Sequence, residues 1–438
     1  MTRQISAIDR RSVIGRGLTV ALTAVGGSAA AALVLRSRDG DDEPMQTSST
    51  DVRTYGAKGD GVSDDAPAFQ RAIDAVARTH GGTVTFGPGT YLLHYRPSED
   101  GDGVSGITLR SGVTLRGTDR NKCILRVANM QLGPGTYART IASHGEITQA
   151  MLRNFTIDGN RQGQGGFSDD LSGAAILLGW KGRCVGVTVE GVTIHDAVGQ
   201  GIMLQGSIGN VSRDLRIAGN LVARAAFIGI QCSQFDGATI TDNEVNDCHD
   251  NGIDIYGDDT IGKSTIATSH RAMITGNRIS KCSIGVFLET VADCVAADNI
   301  VADCRTAGVR VNRIHGEPRN LMIKRNRIIG TPIGVAIGGD TGGVTVNGND
   351  VSSFKTAGVD FSYNVSRVTV TDNRFQPATR TTPIFLGRPT ILGSIPEEKL
   401  VHIRAKNNRI PRSHAPDRRF VNSYRQLLDV EIGSFIVE

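Results

Sequence analysis

From about residue 186 to residue 410, the chain repeats a short pattern roughly every 22 to 35 residues. Each unit has an asparagine flanked by apolar residues, a polar turn, and a small residue, usually Gly, that opens a short alternating strand. Units this short cannot hold helix pairs, so the period predicts stacked β-rungs. We therefore predict an all-β fold, a right-handed parallel β-helix of roughly ten rungs with a short N-terminal capping helix.

Strand residues alternate between two sides, so the repeat also predicts which side chains point outward. Apolar residues recur at every second position, as in Ile253 and Ile255, and should fill the interior. We expect the intervening residues to face solvent in two rows. The first row is Met203, Gln231, Asp254, Phe287, Arg310, Ala336, Asp360 and Phe385, and the second is Gln205, Ser233, Tyr256, Glu289, Asn312, Gly338, Ser362 and Gly387. Phe and Met on an outward face indicate that something binds there.

The recurrent asparagines often follow Gly or Asp, as in Gly219–Asn220 and Asp242–Asn243. Asn tolerates the left-handed backbone of a sharp corner. Stacked amides can also hydrogen-bond from rung to rung. We predict a structural row at one corner, made of Asn220, Asn243, Asn277, Asn299, Asn326, Asn349, Asn373 and Asn408.

The N-terminus has the features of an export signal. Arg10-Arg11 precedes an uncharged run from Gly17 to Leu35, and the paired arginines indicate the twin-arginine route. We assign residues 1–35 to a signal peptide, or to a membrane anchor if it is not cleaved, because the run is just long enough to span a bilayer. Residues 36–50 would be a linker and residues 51–438 the β-helix domain. The predicted location is the periplasm or the cell exterior.

Charge and cysteine content exclude several classes. The net charge is only +4, so we expect no nucleic-acid partner. Seven cysteines are an odd number, which argues against a complete disulfide framework. Cys248, Cys282 and Cys304 fall at nearly the same place in successive units, which predicts a buried stack rather than a metal site.

A helix is predicted at Ala66–Arg78, after the capping residues Ser63-Asp64-Asp65 and before Gly81-Gly82. It would cover the open end of the solenoid. Residues 51–94 closely resemble the opening of the pectate-lyase-like β-helix superfamily, which includes polygalacturonases, rhamnogalacturonases, mannuronan C5-epimerases and phage tailspikes. Residues 152–160, LRNFTIDGN, look like the next landmark of that family. The resemblance covers most of residues 51–390 and implies a carbohydrate-active protein, although a fold does not fix a reaction.

The catalytic motifs of that family are incomplete. C5-epimerases carry Tyr-Gly-Phe-Asp-Pro-His where this chain has residues 200–205, QGIMLQ, without an acid or a histidine. Residues 250–254, DNGID, are similar in part to the first polygalacturonase motif, and residues 310–312, RVN, to the last. The Asp-Asp pair and the Gly-His-Gly of polygalacturonases are not found at their places.

The outward rows place acidic, aromatic and basic residues on three consecutive strands: Asp254 and Tyr256, Phe287 and Glu289, then Arg310 and Asn312. Strand spacing puts the backbones of Asp254 and Glu289 on the order of 8 Å apart. Their carboxyl groups could reach the separations of about 5 to 9.5 Å used in glycoside hydrolysis. One acid would protonate the leaving oxygen, and the other would activate water or attack.

The remaining residues would bind substrate. Arg310 would hold a uronate carboxylate and Phe287 would stack on a sugar ring. Gln231, Asn312 and His249 would add polar contacts from the groove and its walls. No metal or cofactor is predicted, although calcium at the adjacent acids Asp258 and Asp259 stays an open alternative.

Three functions follow from this cluster. The first is a secreted hydrolase of uronate-containing polysaccharide that uses Asp254 and Glu289. The second is a polysaccharide lyase or uronate C5-epimerase, in which Arg310 neutralises the uronate and Tyr256 or a histidine moves the proton. The third is a non-catalytic sugar-binding or surface protein. The predicted partner is polysaccharide in each case, with membrane contact only through an uncleaved N-terminal anchor.

Overall fold

Three parallel β-faces, which we call A, B and C, follow one another in most rungs. In a computed structural model the described residues are 48–133, 135–165, 173–207, 209–257, 269–312, 318–338, 341–362, 364–379, 381–386, 399–412 and 426–438, all in one compact unit that spans residues 47–438. The predicted signal and the acids Asp258 and Asp259 lie outside the described residues. In the part of the chain that is described, no helix is long and apolar enough to cross a membrane.

Face A carries the predicted outward rows. Its strands are Arg96–Pro97, Val104–Thr108, Ala138–Thr148, Gly173–Val185, Gln200–Gln205, Ile230–Ser233, Ile253–Tyr256, Ile284–Glu289, Ala307–Asn312, Ile333–Ile337, Ala357–Phe361 and Ile384–Leu386. All of them pair in parallel except Arg96–Pro97, which is antiparallel to its neighbour. The strands Ala138–Thr148 and Gly173–Val185 continue around the corner toward face B.

Face B follows face A in each rung. Its strands are Ser48–Asp51, Gly82–Phe86, Val113–Gly117, Met151–Arg153, Thr188–Glu190, Ser212–Ala218, Phe235–Thr241, Ser269–Thr275, Val291–Ala292, Val295–Ala297, Leu321–Lys324, Gly342–Asn347, Val365–Thr371, Lys399–Lys406 and Gln426–Ile432. Residues 48–50, assigned to the linker from sequence, thus form part of a strand that pairs with Gly82–Phe86.

Face C is a sheet of fourteen strands. They are Asp60–Asp64, Gly89–Leu93, Cys123–Val127, Thr156–Asp158, Thr193–His195, Leu221–Ala223, Glu244–Asn246, Arg278–Ser280, Ile300–Ala302, Arg327–Ile329, Asp350–Phe354, Arg374–Pro377, Arg409–Ile410 and Ile436–Val437. The prediction of about ten rungs was therefore too low. The N-terminal rungs lack the asparagine and have Val192 and Phe155 at its place, so the repeat hides them.

The N-terminal helix α1 spans Ala66–Arg78, as predicted. Its buried residues, among them Phe69 and Ile73, pack across the first strands of all three faces. Phe69 meets Phe86 and Tyr91 edge-on, with ring centroids 5.2 and 5.3 Å away. This apolar contact covers the end of the core. Two short strands, Ser48–Asp51 and Asp60–Asp64, precede the helix.

The asparagines form one continuous ladder at the corner between faces B and C, which confirms their predicted alignment. Asn243 donates two hydrogen bonds to Asn277 Oδ1, from its backbone N–H at 3.0 Å and from Nδ2 at 2.9 Å. Its Nδ2 also donates to the Ile217 carbonyl, and its Oδ1 accepts the same pair of bonds from Asn220. Each inner amide is thus buried with both its donors and its acceptor used.

The prediction that asparagine is needed at this corner for a left-handed backbone was wrong. The left-handed residue is not the asparagine but the residue before it, such as Gly219 with φ of 61° and Asp242 with φ of 55°. Asparagine is required for its side-chain amide, because the buried backbone N–H of each rung needs an acceptor.

A row of glycines opens most face A strands. The row is Gly201, Gly229, Gly252, Gly285, Gly308, Gly334 and Gly358. A methyl group at any of them would overlap a face C side chain of the core, such as Val222 beside Gly201 or Phe375 beside Gly358, and the backbone carbonyl of the next rung. Glycine is therefore needed here for close approach of two faces, and not for a special φ angle.

Core packing confirms the inward half of the alternation. Ile253, Ile255, Val309 and Val311 are fully buried. All seven cysteines are buried free thiols, and Cys248, Cys282 and Cys304 belong to this core. Burial holds the pKa of the Cys304 thiol near 12, so it stays protonated and packs as a small apolar group.

The ladder predicts a stability test. Asn277→Ala should lower the free energy of unfolding by on the order of 3 kcal/mol, because the Asn243 N–H and Nδ2 lose their buried acceptor. The matched control is Asn121→Ala, since Asn121 is exposed. Urea unfolding followed by circular dichroism would measure both. Equal unfolding midpoints for the two variants would contradict the role of the ladder.

Candidate functional site

Face A holds the two outward rows in register. The first row pairs Met203 with Gln231, Asp254, Phe287 and Arg310 in turn, and the second pairs Gln205 with Ser233, Tyr256, Glu289 and Asn312. Tyr256 is directly opposite Glu289, and Asp254 is opposite Phe287. The predicted acids therefore lie diagonally across adjacent strands.

These outward residues are much less exposed than the sequence suggested. Asp254 is 3% exposed, Phe287 8% and Glu289 9%. Gln231, Tyr256, Arg310 and Asn312 are half-buried. The expectation of solvent-facing rows was wrong at the acids and at Phe287. The Arg310 guanidinium lies 5.4 Å from the Phe287 ring centroid and covers that ring.

Burial gives the two acids unusual protonation. Removal from water raises the pKa of Asp254 to about 8, and the negative charge of Glu289 adds to this effect. The hydrogen bond from Asn251 Nδ2 to Asp254 Oδ2, at 3.0 Å, acts in the opposite direction. Burial also raises the pKa of Glu289 to about 7, against the attraction of Arg310. Near neutral pH the pair can therefore offer a proton from Asp254 while Glu289 is partly ionised.

A third acid stands at the edge of this pair. Asp250 is partly buried, which raises its pKa, and the charges of His249, Arg305 and Arg310 oppose the rise. The charge of Asp250 in turn raises the pKa of both Asp254 and Glu289. The predicted His249 lies exposed on the turn before the strand, where Arg305 donates to its backbone carbonyl. The charge of His249 thus opposes the rise in the pKa of Asp250. His249 itself is not part of either outward row.

A groove of about 400 Å³ lies beside the acids, on the N-terminal side. Its lining includes Tyr256 and Gln231, two of the predicted residues, with Gln200, Gln205 and Phe227. Gln200 Nε2 donates to Gln231 Oε1 at 2.9 Å, and Gln231 in turn interacts with Asp254. The amides thus connect the groove to the buried acid.

Several polar atoms around the groove are buried without a hydrogen-bond partner. They are Gln200 Oε1, Gln205 Oε1, Ser233 Oγ, Asn251 Oδ1 and Asp254 Oδ1. Buried polar atoms are usually hydrogen-bonded, so these atoms are available to bind a ligand or ordered water.

Three residues that line the groove, Gln200, Gln205 and Phe227, were not among the site residues predicted from the sequence. A signal for Gln200 was available. The residue before the strand-opening glycine is apolar in most rungs, as in Ile228, Ile284 and Ile333, and it is polar only at Gln200 and Asn251 among these rungs. Gln200 donates a hydrogen bond to Gln231, and Asn251 donates one to Asp254.

A separate group of possible metal ligands lies on face C. Asp158, His195 and Asp196 hold ligand atoms within 4.8 Å of one another. Arg224 binds Asp196 with two hydrogen bonds of 2.8 Å, and His195 Nδ1 lies 2.9 Å from the same carboxylate. These contacts explain why the three side chains lie together. The group lies on face C, whereas Asp254 and Glu289 lie on face A.

Stacked parallel rungs with buried ladders place the chain in the class of right-handed parallel β-helices, and residues 264–381 match a right-handed β-helix region. The chain belongs to the rhamnogalacturonase A/epimerase, pectate lyase-like family, whose model matches residues 49–310.

Two of the relatives by sequence are proteins of Azotobacter vinelandii. The mannuronan C5-epimerase AlgE4 is 33% identical over 150 residues, which are 34% of this chain and 26% of that protein. Alginate lyase 7 is 30% identical over 145 residues, 33% of this chain and 16% of that protein. The matched segment thus spans about a quarter or less of these relatives.

Solved structures show the same fold at low identity. The A-module of AlgE4 superposes with a TM-score of 0.61 at 18% identity, covering 89% of this chain and 99% of that one. A tailspike of E. coli bacteriophage HK620, solved with a hexasaccharide, gives 0.65 at 13% identity, with 89% and 71% covered. The exopolygalacturonase of Thermotoga maritima gives 0.58 at 13% identity, with 83% and 91% covered.

The buried acid predicts how stability depends on pH. Folding raises the pKa of Asp254 from 3.8 to about 8, so between these values the folded chain holds a proton that the unfolded chain has released. Stability should therefore fall as the pH rises through this window. Asp254→Asn should make the fall in melting temperature between pH 5 and pH 8 smaller, as measured by differential scanning calorimetry.

The control is Asp298→Asn. Arg325 lowers the pKa of Asp298, so this carboxyl is ionised in both the folded and unfolded chain throughout the window. Its removal should leave the pH dependence unchanged. If Asp254→Asn also left the pH dependence of the melting temperature unchanged, Asp254 would not hold a proton in the folded chain over this pH range.

Proposed function

We propose that this chain is a glycoside hydrolase that cleaves uronate-containing polysaccharide on face A. The observation that carries the proposal is the pair of buried acids, with raised pKa values, beside the half-buried Arg310. Hydrolysis requires one carboxyl that keeps its proton and one that can lose it, and environments that separate two acids in this way are typical of such sites. The uronate preference is supported by Arg310 and by the similarity to a mannuronan C5-epimerase and an alginate lyase of Azotobacter.

In this mechanism Asp254 gives its proton to the glycosidic oxygen as the bond from that oxygen to the anomeric carbon breaks. The leaving sugar takes the electron pair. Glu289, as a carboxylate, removes a proton from the attacking water or attacks the anomeric carbon itself. Tyr256, directly opposite Glu289, would position the water or the sugar. Arg310 would pair with the uronate carboxylate.

Elimination or C5-epimerisation is the second candidate, favoured by the similarity to the Azotobacter C5-epimerase and alginate lyase. A protonated Asp254 and Arg310 would then hold the uronate carboxylate, and Glu289 or Tyr256 would remove the C5 proton. A lyase product absorbs in the ultraviolet, and a hydrolase product adds only reducing ends. An epimerase gives neither, and a sugar-binding protein retains polysaccharide unchanged.

The proposal includes export. Arg10-Arg11 and the apolar run that follows support passage by the twin-arginine route to the periplasm or the exterior. The protein would encounter its polysaccharide substrate there. The acid–base steps described above need no metal or cofactor.

Substitution of the acids tests the reaction. Asp254→Asn and Glu289→Gln should each lower turnover by about 10²- to 10⁴-fold, because each removes a proton-transfer group. The matched control is Asp360→Asn, in the same outward row beyond Arg310 and Ala336. Reducing-end and ultraviolet assays on pectic, alginate and neutral polysaccharides would be read together. Full activity of both acid variants would place the chemistry elsewhere.

Arg310 has a different expected effect. Arg310→Ala should raise KM for a uronate-containing substrate by about tenfold or more, since a charged hydrogen bond contributes about 1.5 to 3 kcal/mol. A neutral polysaccharide should be affected much less. Arg278→Ala, at an exposed position on face C, is the control. Equal losses on charged and neutral substrates would remove the proposed role of Arg310 as a carboxylate clamp.

A further inference from the structure

We propose that face B is the contact surface for a second copy of this chain. The two copies would form a two-fold dimer with antiparallel solenoids, and the two-fold axis would lie along the strand Val295–Ala297, the axis strand. Each rung before the axis strand would then face the rung equally far after it in the second copy. Face B carries neither Asp254 nor Glu289, so this contact is separate from the proposed function.

Among the described residues, face B exposes a short apolar row to water. Met273 pairs in register with Val295, and Val295 pairs with Met322 on the next rung. Met273 is 54% exposed, Met322 is 38% exposed, and Val295 is half-buried. Adjacent apolar side chains on a sheet indicate a surface that another molecule covers, because their contact with water is unfavourable.

The residues around Val295 indicate that this molecule is a second copy. Thr239 pairs with Met273 on the N-terminal side, and Thr345 pairs with Met322 on the C-terminal side. The row therefore has the same residue types in the same order in both directions from Val295. A two-fold axis there would place methionine against methionine and threonine against threonine, as an isologous interface requires. An unrelated partner gives no reason for this symmetry.

Charged residues farther from the axis strand are opposite in sign where the two copies would meet. Glu190 and Lys406 lie four rungs before and four rungs after it in one outward row. Asp214 and Arg367 lie three rungs before and three rungs after it, as the paired residues beside them show. Each acid would thus face a base of the second copy. Such complementarity fixes the register of a contact.

One pair of like charges lies at the axis itself, where Asp293 would face its own copy. Asn320 Nδ2 donates to Asp293 Oδ1 at 2.7 Å, and His270 Nδ1 lies 3.8 Å from Oδ2 of the same carboxylate. Arg271 lies one rung before the axis strand in each copy. These donors and the positive charge of Arg271 would partly offset the repulsion.

The face is large enough for a stable dimer. Its strands Ser212–Ala218 and Phe235–Thr241 have seven residues each. At about 3.3 Å per residue and about 4.8 Å per rung, the rungs from Glu190 to Lys406 cover on the order of 900 Å². Two such surfaces would bury about 1,800 Å², within the range of about 1,200 to 2,000 Å² that stable protein contacts bury.

Sedimentation velocity of the purified protein over a range of concentrations tests the contact. The expected result is a species with twice the mass of one chain. Met273→Lys should raise the dissociation constant of the dimer about tenfold or more, because it places a charge at two equivalent positions in a desolvated contact. Met130→Lys is the matched control, since Met130 is 72% exposed and lies outside face B.

Charge exchange tests the antiparallel register. Glu190→Lys and Lys406→Glu should each weaken the dimer about fivefold, because each sets like charges against one another across the contact. The double variant should return the dissociation constant to within about twofold of the parent value. Melting temperatures verify that each variant is folded. A parent that stays monomeric, a dimer that Met273→Lys leaves unchanged, or a double variant weaker than either single variant would overturn the proposal.

Discussion

In-register hydrogen bonding between successive rungs is the constraint on which the rest of this structure depends. Because each residue faces its equivalent in the next rung, one kind of side chain accumulates into a row. Inside, this produces the asparagine ladder, in which Asn243 accepts hydrogen bonds from Asn220 and donates to Asn277. Outside, the same pairing brings Asp254, Phe287 and Arg310 into line. A shift of one residue would exchange inside and outside.

The chemistry of face A also follows from this stacking. A carboxylate on a flat exposed strand would be solvated and fully ionised. Here Asp254 lies under its neighbours and diagonal to a second acid, so it keeps its proton near neutral pH. Arg310 acts on Glu289 more than on Asp254, which separates the behaviour of two chemically similar groups. The amides of Gln200 and Gln231 join this charged region to a groove of quite different polarity.

Much of the fold could be predicted from sequence because the repeat records it directly: the period, the inward rows and helix α1 all follow from residue order. Burial of the outward acids could not be predicted, since it depends on how neighbouring side chains pack over the strands, and residue order alone does not record that packing. The early rungs could not be predicted from the asparagine repeat, because Val192 and Phe155 replace asparagine there. The placement of Asp254, Glu289 and Tyr256 on adjacent strands could be predicted from register alone. The contact of Gln200 with Gln231 could not, because it depends on a side chain at a strand opening.

The glycine row on face A has a consequence for how this protein can change over time. Each of these glycines is the point where one face touches the side chains of another, so replacement of Gly252 or Gly308 by any larger residue must push the strand away from the axis. Outward residues that keep partial exposure, such as Gln231 and Arg310, do not lie at this contact between faces. Mutation can therefore change the outer surface of face A at such positions while the cross-section of the solenoid stays the same.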